Sequence, residues 1–248
     1  MTETKHQQAI GAEALQLQEA ARMQGWLASA RALISGYVDA YTLLSFGVYA
    51  SFMTGNTTSA GVHVGQTRAA AAGHSLLPIP FFMVGILAGT LLVRTDPRRA
   101  SKRLSVLVAA MLGVDVVVTY MACPGWFSIM ILSSAMGMMN TSITDVGGQA
   151  VSVGFMTGDL NNLARQVAMG IRHESVTQAQ GPWDTHWHRT GILAALWAAF
   201  FIGAAFGALM ATHFSVWILL PPAVSLLALT VIERAMMHRD TSNLKSAK

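Results

Sequence analysis

Residues 51–61 read SFMTGNTTSAG, and residues 154–164 read GFMTGDLNNLA. Phe-Met-Thr-Gly is thus written twice, about a hundred residues apart, each time just after a long apolar run. Upstream of each copy stands a glycine with a short polar side chain three positions on. The first has Gly36-Tyr-Val-Asp39, the second Gly137-Met-Met-Asn140. Two copies in matching order point to an internal repeat, and the surroundings decide what is repeated.

Those surroundings are apolar. Of 248 residues, 53% are hydrophobic and only 11% charged, against about 25% charged in a typical soluble domain. With a mean hydropathy of +0.46, the chain reads as an integral membrane protein. The single cysteine, Cys123 in the turn-like ACPGW, excludes an internal disulfide framework and a cysteine zinc cluster. Residues 1–25 are polar and lack the apolar core of a signal peptide. They read as a cytoplasmic segment, partly disordered or an interfacial helix through Ile10, Leu15, Leu17 and Ala21, with disorder preferred.

Six stretches are apolar enough for the hydrocarbon core: 31–50, 75–93, 104–121, 126–146, 191–211 and 214–232. The last two share a run from Thr190 to Ile232 without Asp, Glu, Lys or Arg, which crosses twice only through a hairpin near Thr212–His213. The first can begin at Trp26 if Arg31 snorkels to the interface. On this threading, fifteen of the sixteen Lys and Arg fall on one side and Arg68 alone on the other. The positive-inside rule then puts both termini in the cytoplasm. The basic pI marks topology and anionic lipid neighbours, not nucleic acid. The expected organisation is a membrane domain over residues 26–235 followed by a basic cytoplasmic tail, 236–248.

Spans two and five each carry Gly-x-x-x-Gly, Gly85/Gly89 and Gly203/Gly207, the small-residue pattern of close helix packing. Each half, 31–121 and 126–232, therefore holds three spans. An odd number reverses direction the second time. The expected fold class is an all-α integral membrane protein with six transmembrane helices as a 3+3 inverted repeat. Many secondary transporters are built this way, with the site near the midplane.

The stretch GYVDAYTLLSFGVYASFMTGNT, Gly36–Thr57, resembles the signature of the YoaK family, bacterial inner-membrane proteins catalogued as a domain of unknown function. The resemblance rests on Gly36, Asp39, Ala40 and Ser51 through Asn56, and extends over about residues 28–235. It implies the fold and an inner-membrane location but no substrate. The family's second-half pattern is similar to Gly-x-Gln-Asn-Ala followed by Thr-Gly. Here Met139 stands at the Gln and Thr141 at the Ala, so a role needing that amide is not implied.

Thr54-Gly55-Asn56 and Thr157-Gly158-Asp159 admit two readings. In one, glycine stops the helix and Asn56 and Asp159 cap the helices that follow. The second of those helices is amphipathic through Leu160, Leu163, Ala164, Val167, Ala168 and Ile171. In the other, the broken helix exposes backbone that lines a substrate path. Asp39 lies about 12 Å beyond Arg31 at 1.5 Å per residue, and Asp115 about 16 Å into span three. At such depth a bare carboxylate costs at least ~2.5–3.5 kcal/mol. The acids are protonated, hydrogen-bonded, or holding a cation, with Asn140, Thr141 and Ser142 as nearby polar groups, and Asn140, Thr54 and Asn56 are the partners expected for Asp39. Polar glue across the two halves is the plainer alternative.

The candidate path residues are Asp39, Thr54, Gly55, Asn56, Asp115, Asn140, Thr157, Gly158 and Asp159. The segment His173–Arg189, with Glu174, Asp184, His186 and His188, has no metal-binding helical spacing and reads as interfacial, with Trp183 and Trp187 at headgroup level. No catalytic or nucleotide fingerprint is present, so neither an enzyme nor a cofactor is expected. The expected function is a secondary transporter or permease for a small solute or ion, open to proton coupling. The alternative is a membrane scaffold or sensor whose polar groups only hold helices together.

Overall fold

The computed structural model describes residues 2–95, 97–142, 145–151, 156–214 and 217–246. Phe155 of the second motif lies outside them. Helix α1 runs unbroken from Thr2 to Phe46, so residues 2–25 are helical and the preference for disorder is corrected. Its Ala, Glu, Gln and Leu are good helix formers. They extend a helix already nucleated, at one bond per added residue. The helix stops where Gly47 takes φ +70° and donates its N–H to Leu43 O at 2.9 Å, a left-handed turn that glycine adopts without penalty.

Then follow α2 (Met53–Gly65), α3 (Ala69–Leu76), α4 (Pro78–Thr95), α5 (Pro97–Tyr120) and α6 (Gly125–Met139). A two-residue hairpin, β1 (Asp145–Val146) with β2 (Gln149–Ala150), precedes α7 (Met156–Ile171) and α8 (His186–His213). A short 3-10 turn, Trp217–Leu219, leads into α9 (Leu220–Ser246).

The apolar run expected to span 126–146 is helical only to Met139. Thr141 and Ser142 turn their hydroxyls back onto the carbonyls of Met138 and Met139, at 2.8 and 2.6 Å, a local alternative to the helical ladder. Gly147 and Gly148, both at positive φ, then make the tight hairpin. At 1.5 Å per residue α6 is about 22 Å long, short of the ~30 Å core.

Among the described residues, three rods are long and apolar enough to cross a membrane: Ala69–Arg94, Ala100–Tyr120 and His186–His213. Gly125–Met139 and Trp217–Glu233 are apolar but shorter. Helix α1 stands outside both groups, since Arg31 and Asp39 interrupt its apolar half. Large apolar side chains also cover the outside: Met83, Val84 and Leu87 on α4, Phe201 and Ile202 on α8, Val224 and Val231 on α9. Such a belt needs lipid against it.

Two seams organise the bundle, α1 against α8 and α4 against α6. In the first, a Cβ on Gly36 would strike the carbonyl of Phe200, one on Gly203 that of Leu33, and one on Gly207 that of Tyr37. In the second, a Cβ on Gly137 would strike the carbonyl of Phe82 and one on Gly85 that of Ser134, while Gly89 lies against Thr141 and Met138. Backbones approach so closely only where the side chain is absent. The first helix of each half thus packs on the Gly-x-x-x-Gly helix of the other. Between the seams lies one core, with Val38, Leu104, Val108, Leu112, Leu132, Met136 and Leu226.

Candidate functional site

The chain between α1 and α2 folds back along the helix it has just left, and α1 holds it there. Asp39 is buried; its Oδ1 accepts the Ser51 amide at 2.7 Å and its Oδ2 the Ser51 hydroxyl at 2.5 Å. Thr42 Oγ1 accepts the Ala50 amide at 3.2 Å. From the other side, buried Asn56 takes both polar groups of Tyr49: Oδ1 accepts the amide at 2.9 Å, Nδ2 donates to the carbonyl at 2.7 Å. Each freed backbone group answered here removes a penalty of several kcal/mol in a water-free environment.

Two sequence expectations change at this point. Asn56 does not cap α2, because the helix starts at Met53 with Phe52 at the cap, leaving Asn56 in the first turn. Gly55 is what permits this: a Cβ there would strike the Phe52 ring. Nor do Thr54 and Asn56 partner Asp39. Thr54 is exposed, Asn56 is committed to Tyr49, and Asp39 to Ser51. Asp159 likewise falls in the first turn of α7, buried, rather than at its cap, with Thr157 exposed and Gly158 half-buried beside it. Asn140 is the half-buried C-cap of α6. On α7, Leu160, Ala164, Ala168 and Ile171 are exposed while Leu163 and Val167 are partly covered, so much of the apolar face looks outward.

Asp115 differs from Asp39. It has no exposed surface, and neither carboxylate oxygen has a hydrogen bond among the described residues. The Ser128 hydroxyl faces it without completing one, and its charge reaches the Tyr41 hydroxyl. Ser128 and Tyr41, with Thr119 one helical turn along from Asp115, line a cavity of about 350 Å³ at the Phe46 end of the bundle. Ser45, Phe46, Cys123, Phe214 and Ile218 complete most of its wall. The acid therefore lies beneath a chamber whose nearest polar groups are hydroxyls.

The opposite end is closed by charges that the sequence reading misplaced. Arg31 does not snorkel; it has no exposed surface. Its Nη2 donates to Glu233 at 2.6 Å, Ser101 at 2.9 Å and Ser105 at 3.1 Å, tying α1, α5 and α9 together. From the first turn of α8, Arg189 forks onto Asp184 with two bonds of 2.8 Å, and Asp184 also accepts the Gln180 amide at 3.0 Å. Burial pushes the Asp184 carboxyl up, but the Arg189 guanidinium and the Gln180 N–H outweigh it, and its pKa is lowered. His186 is engaged by Gln166 at 2.6 Å, and Trp187 is exposed over Gly170.

A helical bundle with an apolar exterior, buried acids and a loop folded back on its first helix is a membrane protein of the multi-helix kind. The chain belongs to the family described as "Protein of unknown function (DUF1275)", whose model matches residues 27–232. It is similar to "UPF0700 transmembrane protein RA0705" of Rhizobium meliloti (strain 1021), 29% identical over 211 residues, 82% of this chain and 83% of that protein. It is also similar to "UPF0700 transmembrane protein YoaK" of Bacillus subtilis (strain 168), 28% identical over 157 residues, 60% of this chain and 69% of the relative. No solved structure matches it.

Proposed function

We propose that this protein is a secondary transporter or permease for a small solute, set in the bacterial inner membrane as six crossings of a 3+3 inverted repeat with both termini cytoplasmic. The repeat is supported by the two seams, in which residues at equivalent places of the two halves make the same collisions: Phe82 against Gly137 as Phe200 against Gly36, Ser134 against Gly85 as Leu33 against Gly203. Orientation is supported by the distribution of Lys and Arg. On this orientation the Asp115 cavity opens outward, and the Arg31–Glu233 pair closes the inward end, the arrangement alternating access requires.

The observation that carries the reading is Asp115, a buried carboxylate whose oxygens complete no hydrogen bond among the described residues, one helical turn from Thr119 in the cavity wall and faced by Ser128. Asp39 plays a second part: a proton arriving there competes with Ser51 for the same oxygens and loosens the folded-back loop. That both Asp39 oxygens are already occupied favours, for this residue, the scaffold alternative as well. Flux into proteoliposomes under an imposed proton gradient separates the two. Asp115→Asn should abolish solute uptake and Asp39→Asn its proton dependence, with both proteins inserted. No uptake of any solute by the wild type leaves the scaffold, and uptake unchanged in both variants takes both acids out of the transport path.

A further inference from the structure

We infer that the cavity at the Phe46 end is a binding site for a small organic cation, an amine or quaternary ammonium, with Asp115 as its counter-charge. As the substrate class of the transporter this rests on the function proposed above; as a binding site it does not.

The chemistry is selective in three ways. First, charge: among the described residues no Lys or Arg lines the cavity, so an anion would sit near an uncompensated carboxylate in a low-dielectric surrounding, where like charges repel most strongly. A cation instead supplies the pairing that a buried acid needs.

Second, the polar floor consists of hydroxyls. Tyr41 lies within reach of Ser45 and Thr119, with Ser128 facing Asp115. Hydroxyl oxygens accept from an ammonium N–H. The walls above are apolar or aromatic: Phe46, Phe214 and Ile218. Tyr41 and Phe46, both in the cavity wall, meet edge to face at 5.8 Å between centroids.

Third, size. A volume of about 350 Å³ is at the small end of ligand pockets. It suits a cation carrying a few carbons. A bare metal ion wants several oxygens closing on it at 2–2.6 Å and would leave most of this chamber empty.

Cys123, a free thiol in the cavity wall, provides the readout. The full-length protein in proteoliposomes is treated with two thiosulfonate reagents of similar size, one bearing trimethylammonium and one sulfonate. Relative to a free thiol, the cationic reagent should modify Cys123 about tenfold faster, the scale of local concentration by a focused charge. Asp115→Asn should remove that preference. Choline should slow modification saturably, and its uncharged carbon isostere should not. A preference that survives Asp115→Asn, or equal protection by choline and its isostere, overturns the site. If Asp115→Asn does not insert, the choline comparison on the wild type decides alone, since absent protection also overturns it. Choline protection with no flux of any cation removes the transporter and leaves the site. Uptake of a neutral solute unaffected by Asp115→Asn removes the cation and leaves transport.

Discussion

Arg31 and Glu233 meet at 2.6 Å across 202 residues of chain, and neither side chain is exposed by more than 8%. Helices α1 and α9 are thereby tied through charges at the end of the bundle opposite the cavity. Removing one partner of such a pair leaves a bare buried charge and costs about 3–5 kcal/mol, while replacing both by apolar side chains is often neutral. Glu233→Gln should therefore lower thermal stability sharply. Arg31→Met with Glu233→Leu should recover most of it in the same melting assay.

The seams make a sharper steric claim. Gly36→Leu and Gly85→Leu each push a side chain into backbone, which has nowhere to retreat. Overpacking costs about 1–3 kcal/mol even where side chains can yield, so both variants should be lost from the monodisperse fraction in size-exclusion chromatography. Gly73→Ala, with nothing within 4 Å, should elute as the wild type.

The loop after α1 depends on two clamps. Ser51→Ala removes one of the two bonds to Asp39, and Asn56→Ala frees both polar groups of Tyr49. A buried polar group left unanswered costs about 1–3 kcal/mol. Asn56→Ala should be the more destabilising, and hydrogen exchange should report it first at the amides of residues 47–52.

The Asp184–Arg189 fork carries a pH signature. Because the folded pKa of Asp184 is lowered, its stabilisation is fully present above the ordinary value of 3.8 and is lost as pH falls through the lower folded value. Protease resistance of residues 172–185 should hold from neutrality down to about pH 4. Asp184→Asn should abolish it at every pH.

Topology has its own check. A reporter fused after Ser246 should be active in the cytoplasm, and one inserted between Gln66 and Arg68 in the periplasm. A carboxy-terminal reporter active only in the periplasm would invert the proposed orientation.

How much of this was written locally can be judged from particular residues. The seam glycines were legible, because Gly85/Gly89 and Gly203/Gly207 carry their spacing with them. The burial of Asp39 and Asp115 followed from depth along apolar helices. Arg31 was not legible: arginine near the start of a span ordinarily reaches the interface, and what holds this one inside, Glu233, stands almost at the far end of the chain. The end of α6 was missed because Thr141 and Ser142 sit in an apolar run and stop the helix with hydroxyls rather than with proline or charge. Asn56 looked like a cap because it follows Gly55; the Phe52 ring over that glycine moves the helix start forward by a turn.

The pairing of α1 with α8 also sets a timetable for synthesis. A membrane protein is made from its amino terminus, and on the proposed threading α1 enters the bilayer long before its partner exists. Its glycine face at Gly36 must wait, open to lipid, until Gly203 and Gly207 have been translated and inserted. The α4–α6 seam needs only residues up to Thr141 and can close earlier. A ribosome stalled before α8 would therefore carry one finished seam and one orphaned helix, the form in which a quality-control protease or an insertion chaperone would meet this protein.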